Sequence, residues 1–273
     1  MTVPSRPSDG VAVVTGGASG IGLAFARAFA GRGLRVVIGD IDESATATAS
    51  AQLSTDGATV HGVCTDLQDA ASVAHLAEVA AGLGPLTAVC LNAGVTSTGA
   101  TVWETPRTTY DFVVGVNLLG LFHSVAAFVP RLIAQRRPAD LVITASMAGM
   151  VASPYSGVYA ASKAGAIALA KSVRAELAIS APEIQVALLN PGMVKTNLIR
   201  TSAARLPAGA MPGDLVTGSH DALNQAGVEP DVAAGWALRA LQEKRFWALP
   251  EAGDPFSTLL DGELTELREA AAR

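Results

Sequence analysis

The chain has little cysteine, few aromatic residues and little charge, and each scarcity excludes something. Two cysteines in 273 residues, Cys64 and Cys90, rule out a disulfide-stapled scaffold. Both stand in apolar, strand-like runs, which reads as two buried free thiols in a reducing compartment. The four histidines, His61, His75, His123 and His220, have no ligand spacing, so no metal is expected. Charged residues make up 16% of the chain and the net charge is −5, with Gln135-Arg136-Arg137 the only basic block. That excludes an electrostatic nucleic-acid footprint. No clean apolar run reaches the length of a membrane span, since the most apolar stretch, 113–129, is interrupted by Asn117, His123 and Ser124. The first ten residues carry no apolar segment, so no signal peptide and a cytoplasmic location are the expectations.

What is present is apolar: 50% of the residues, enough for a large core without staples. Short Val/Ile/Leu-rich runs at 11–15, 35–39, 59–64, 86–91, 140–145, 184–189 and 246–249 are continuous rather than alternating. Strands buried on both faces of a parallel sheet have that pattern. Between them lie helical patterns near 20–32, 43–55, 69–82, 107–135, 157–180 and 230–243. This alternation predicts an α/β fold: one doubly wound parallel sheet of Rossmann type, with helices on both faces, in a single domain over 1–273. Residues 191–229 break the rhythm and read as a long functional loop. The tail 254–273 opens Asp254-Pro255 and carries Phe256, Leu259, Leu260, Leu264 and Leu267 on one stripe. It reads as a terminal helix docked on the body or on a partner subunit.

The first strand runs into Thr15-Gly16-Gly17-Ala18-Ser19-Gly20-Ile21-Gly22 at the start of a helix. Glycines there permit a tight turn and bring backbone N–H groups and a helix N-terminus up to a pyrophosphate. The second strand ends at Asp40, where a carboxylate accepts hydrogen bonds from ribose hydroxyls and repels a 2′-phosphate. No Arg or Lys lies in 16–22 or just after Asp40, so NAD is expected rather than NADP. Asp66-Leu67 and Asn92-Ala93-Gly94 follow the third and fourth strands. Either pair of features could be turn chemistry; alternatively Asp66 holds the adenine amino group and Asn92, Ala93 and Gly94 line the ribose.

Ser146 closes the fifth strand, and Tyr159-Ala160-Ala161-Ser162-Lys163 opens an Ala-rich helix. Tyr159 and Lys163, at i and i+4, share a helical face. A phenol is a poor base at neutral pH, but a nearby ammonium and an oxidised nicotinamide favour the phenolate. Tyr159 can then exchange a proton with an alcohol or carbonyl that Ser146 holds, while Lys163 also holds the nicotinamide ribose.

Together, TGGASGIG at 15–22, Asp40, Asp66-Leu67, Asn92-Ala93-Gly94, Asn117, Ser146, YAASK at 159–163 and Asn190-Pro191-Gly192-Met193-Val194-Lys195-Thr196 resemble the short-chain dehydrogenase/reductase family in order and spacing. The resemblance implies a catalytic tetrad of Asn117, Ser146, Tyr159 and Lys163, with Asn117 holding a water that connects the lysine to solvent. It implies a cofactor site of Gly16, Ser19, Gly20, Ile21, Gly22 and Asp40, with Pro191, Gly192, Val194 and Thr196 at the nicotinamide carboxamide. It also implies a homodimer or homotetramer through helices 107–135 and 157–180. The chain departs from the family near its end, where Arg245-Phe246-Trp247-Ala248-Leu249-Pro250-Glu251 replaces the Val-Asp-Gly-Gly-like turn of many tetrameric members.

Ser146, Met147, Ala148, the stretch Val151 to Tyr155, Tyr159, Met193, Leu198 and Ile199 are expected around the substrate, which points to an apolar secondary alcohol or ketone. Trp103 and His123 either reach the pocket rim or pack in the core or an interface. The expected function is an NAD-dependent oxidoreductase acting on a small-molecule alcohol or ketone. Two other readings stay open: an epimerase or dehydratase with bound NAD on the same scaffold, and a catalytically idle NAD-binding protein.

Overall fold

The computed structural model describes residues 10–272 except 56, 152–153, 208–209 and 252–254. The N-terminal reading, Asp254 and the middle of the 151–155 wall therefore lie partly or wholly outside the described residues. Seven strands form one sheet: β1 (Val11–Thr15), β2 (Arg35–Asp40), β3 (Val60–Cys64), β4 (Leu86–Leu91), β5 (Ala139–Thr144), β6 (Ile184–Leu189) and β7 (Trp247–Ala248). Their order is β3-β2-β1-β4-β5-β6-β7, and every neighbouring pair is parallel. The winding reverses between β1 and β4, which opens a crevice at the carboxyl ends of the strands.

Side chains alternate across the sheet, and two cores result. Val11 and Val13 face a core filled by Leu76 of α3 (Ala70–Leu83), Phe128 of α5 (Gly120–Ala134) and Leu177 of α6 (Gly157–Ser180). Ala12 and Val14 face the other core, filled by Phe25 and Phe29 of α1 (Gly20–Ala30), Leu53 of α2 (Glu43–Thr55) and Trp236 of α9 (Pro230–Gln242). Each large side chain so buried stabilises the fold by about 1.5–3 kcal/mol. β1, β4 and β5 are buried throughout, whereas β3, at the sheet edge, has no buried residue. The expectation of two buried thiols is accordingly half wrong: Cys90 is buried, but Cys64, at the end of the edge strand, is exposed.

Four other expectations change. The stretch 107–135 is not one regular helix: α4 (Arg107–Val114) and α5 are joined by a π-helical turn, Gly115–Leu119, that carries Asn117. By length and composition the run Arg107–Ala134 is apolar enough to cross a membrane, contrary to the sequence reading. Val113, Leu121, Phe128 and Leu132 spend that apolarity on the cores of this fold. The 191–229 stretch is not loop alone. It holds α7 (Leu198–Ala203) and α8 (Gly213–Ala226), and its prolines fall outside both helices, with Pro212 at the α8 N-cap. Finally, α10 (Pro255–Ala271) forms as expected but does not bury its stripe in the body: Leu259, Leu264 and Leu267 are exposed, and none of its described residues is buried.

Candidate active site

The crevice is a cleft of roughly 400 Å³ running from the Asp40 end to Lys163. Its nucleotide end is built largely from backbone. Gly16 has φ +62°, and a Cβ there would come within 2.7 Å of the Ala93 Cα. Gly22 packs so closely on the Gly16 carbonyl that no Cβ fits. These contacts let the loop fold flat beneath the N-terminus of α1. Ser19 is the α1 N-cap residue, yet its side chain caps nothing, so its hydroxyl and the helix's partial positive charge remain available to an anion.

Asp40 is held in place by the loop it serves. Its Oδ2 accepts the Ala18 N–H at 3.2 Å and its Oδ1 accepts the Asp42 N–H at 3.1 Å. Asp66 Oδ1 accepts the Gln68 N–H, so this carboxylate also shapes its own turn. Asn92 fastens β4 to β1: its backbone N–H donates to Thr15 Oγ1 at 2.9 Å, and its Nδ2 donates to the Thr15 carbonyl at 3.3 Å.

The chemical end is made of side chains, with Asn117, Ser146 and Lys163 buried and Tyr159 half-buried. Tyr159 and Lys163 project from the first turns of α6, and the Lys163 Nζ lies 5.9 Å from the Tyr159 ring centroid. Lys163 donates to the Thr144 carbonyl at 3.2 Å, and burial draws its pKa down to about 8. Burial pushes the Tyr159 phenol up, while its hydrogen bond with Ser146 pulls it back. The lowering expected from an ammonium together with an oxidised nicotinamide concerns the cofactor-bound state; in the chain by itself desolvation of the phenolate is the larger influence and the hydrogen bond with Ser146 the smaller. Ser146 also accepts the Ala148 N–H at 3.1 Å, so it caps a short 3-10 turn and touches the phenol at once.

Asn117 is almost fully committed. Its Oδ1 accepts the Val95 N–H at 2.8 Å, and its Nδ2 donates to the Val95 carbonyl and to Ser162 Oγ, both at 2.9 Å. Ser162 in turn donates to the Tyr159 carbonyl at 2.7 Å. The side chain is therefore a clamp between the β4 exit and α6. Both amide hydrogens are used, so only acceptor atoms remain for the water that the resemblance implies.

Of the expected residues, Gly16, Ser19, Gly20 and Ile21 line one wall of the cleft, and Asp40, Asp66 and Leu67 line its far end. Asn92, Ala93 and Gly94 lie between them and Tyr159, Lys163, Pro191, Thr196 and Leu198. Gly22, Gly192 and Val194 are not in the lining; Val194 instead pairs with Val228 and joins the core. Of the described residues expected around the substrate, only Tyr159 and Leu198 are in the lining. Met147, Val151 and Ile199 are buried, and Ala148, Pro154, Tyr155 and Met193 also stand outside it, as does Ser146, which meets the site through its hydrogen bond with Tyr159. Tyr155 is 58% exposed with φ +62°, its carbonyl accepting the Gly99 N–H, so the turn aims its ring toward solvent. Trp103 is 84% exposed rather than packed in the core, and His123 Nδ1 meets the Leu67 carbonyl at 2.9 Å. Sequence reasoning missed Ile41, Thr144 and Arg205 in the lining. Thr144 and Ile41 adjoin residues already singled out; nothing in the linear sequence marks Arg205. Among the described residues no cluster suited to a metal ion exists.

The chain belongs to the short-chain dehydrogenase/reductase family, a class of oxidoreductases that bind nicotinamide cofactors: the family model described as short chain dehydrogenase matches residues 10–206. Relatives it resembles are named as dehydrogenases. A 1-deoxy-11-beta-hydroxypentalenate dehydrogenase of Streptomyces avermitilis is 37% identical over 254 residues, covering 90% of this chain and 88% of that protein. A C alpha-dehydrogenase of a Sphingobium species is 33% identical, covering 89% of this chain and 80% of the relative. Among solved structures, a short chain dehydrogenase/reductase from Burkholderia phymatum in complex with NAD superposes with a TM-score of 0.86 at 33% identity, covering 96% of each chain.

Proposed function

We propose that this oxidoreductase is an NAD-linked dehydrogenase that interconverts an apolar secondary alcohol and its ketone, with Tyr159 as the acid/base. The observation that carries this reading is the half-buried Tyr159 phenol in the cleft, hydrogen-bonded to Ser146 and backed by Lys163. The residues present fit a dinucleotide. The glycine cradle has no room for a Cβ at Gly16 or Gly22, the Ser19 hydroxyl caps nothing, and Thr144 Oγ1, in the cleft lining, is buried without a partner. In the bound state the nicotinamide supplies the two-electron hydride acceptor or donor.

The chain's own residues do the rest. Gly16, Ser19, Gly20 and Ile21 hold the phosphates, Asp40 takes the ribose hydroxyls, and Ile41 and Leu67 offer the adenine apolar walls. Ser146 donates to the substrate oxygen and holds it against Tyr159. In oxidation the alcohol proton passes to the phenolate oxygen; in reduction the phenol returns it to the carbonyl oxygen. Lys163 holds the ribose and, when charged, favours the phenolate; Asn117 keeps α6 in register with β4. NAD is favoured over NADP because Asp40 and Asp42 both line the adenosine end and would repel a 2′-phosphate. Leu198, Phe112 and Val116 make the substrate end apolar.

A homodimer or homotetramer through α4–α5 and α6 is part of the proposal, supported by the exposed Leu119 and Phe122. Phe122→Glu is expected to convert the assembly to monomer in sedimentation. A cytoplasmic location goes with it, consistent with two free cysteines. The decisive experiment follows NADH absorbance over a panel of secondary alcohols with NAD and, in parallel, NADP. Turnover with NAD is expected; binding of NAD with silence across the panel moves the weight to the non-redox alternatives.

A further inference from the structure

The segment α7 and the turn after it have two distinct faces. Ile199, Ser202 and Leu206 are buried, the Ser202 hydroxyl accepting the Thr96 N–H at 2.9 Å and the two apolar side chains packing with Met211. Leu198, Thr201 and Arg205, three and four residues apart, lie along the cleft. One face therefore pins the segment and the other forms a wall of the cleft.

Arg205 and Lys163 are the two cations among the described lining residues. Lys163 is fixed at the chemical end by the Thr144 carbonyl. The rest of the cleft carries Asp40, Asp42 and Asp66. A dinucleotide would bring two more negative charges on its diphosphate, and the glycine loop offers them only partial charges. A guanidinium cannot lose its proton and can bind two phosphate oxygens at once. Arg205 already feels the adenosine end of the cleft, since its charge acts on Asp42.

We propose that Arg205 is a ligand of the cofactor diphosphate, reaching it across the cleft from the anchored α7 segment. Cofactor binding would then fix the position of Leu198, on the same face, before substrate arrives. This rests on the nucleotide-binding reading of the cleft and adds a residue that neither the glycine loop nor the tetrad contains.

The test is calorimetric titration of wild type, Arg205→Ala and Arg205→Lys with ADP-ribose, ADP, 2′,5′-ADP and adenosine. Arg205→Ala is expected to weaken ADP-ribose and ADP about tenfold, as loss of a charge-assisted contact does. Arg205→Lys should recover part of that loss, and adenosine should bind all three proteins alike. Arg205 is exposed, so the melting temperature should hold. Unchanged ADP-ribose affinity, or equal weakening for adenosine, overturns the proposal. A loss confined to 2′,5′-ADP overturns it too, by moving the contact to a 2′-phosphate. Failure of wild type to bind ADP-ribose would instead remove the nucleotide reading, and this proposal with it.

Discussion

The two ends of the cleft are built by different means. At the nucleotide end the functional surface is main chain: a glycine loop, a helix N-terminus and strand ends, with Asp40 held in place by two backbone N–H groups. At the chemical end it is side chain: Lys163 is buried and Tyr159 half-buried, and desolvation is the largest influence on the proton affinity of each. A site built of backbone fails when a Cβ is added, and a site built of side chains fails when a polar atom is removed. The difference also separates binding from chemistry, since the open end keeps charges solvated while the closed end desolvates them.

The largest expected effect is at the closed end. Tyr159→Phe should lower turnover by about 10²–10⁴-fold, the usual reach of general acid–base catalysis, while cofactor affinity stays near wild type. A variant with near-normal turnover would remove the acid/base assignment. At the open end, Asp40→Ala should leave turnover with saturating NAD largely intact and shift the NAD-to-NADP preference by about tenfold, the scale of one charged contact. An unchanged preference in steady-state kinetics would break the argument from carboxylate repulsion.

Between the two ends, Asn117 holds three buried hydrogen bonds. Asn117→Ala should cost about 1–3 kcal/mol for each group left unpaired, measured by urea unfolding. A loss of activity at unaltered stability would show instead that the residue acts on the chemistry directly. Lys163 makes the contrast visible in pH. Its folded pKa of about 8 lies below the ordinary 10.5, so between those values the unfolded chain binds more protons. The cost of burying the ammonium is full below about pH 8 and fades as pH rises toward 10.5, so Lys163 makes stability climb through that window. Lys163→Met should flatten the climb in melting temperatures measured from pH 7 to 10. The smallest effect is expected at Ser202, where Ala removes the acceptor for the Thr96 N–H and should cost about 1 kcal/mol.

Much of this was legible in the linear chain, for reasons that particular residues make plain. The continuous Val-rich runs gave strands because β1, β4 and β5 are buried on both faces. Tyr159 and Lys163 could be paired because one helical turn brings them together. Cys64 could not be placed, because an edge strand and a central strand share one composition. The π turn at Gly115–Leu119 left no mark in the apolar periodicity, and α8 was hidden by its weak apolar pattern, with His220 its only buried residue. The depth of burial that raises the Tyr159 phenol in the chain by itself was not legible either, because the sequence names its charged neighbour but not its surroundings.

By itself the sequence determined the alternation of strands and helices, the glycine loop, and the i, i+4 pairing at the head of α6, since each is a local pattern of a few residues obeying backbone sterics. Only the tertiary structure decided which carboxylates share a wall, that Asn117 clamps β4 to α6, that α7 pins Arg205 beside the cleft, and that the α10 stripe stays exposed. Those are distances between segments far apart in the chain, fixed by the order of strands in the sheet and by how the helices fill the two cores.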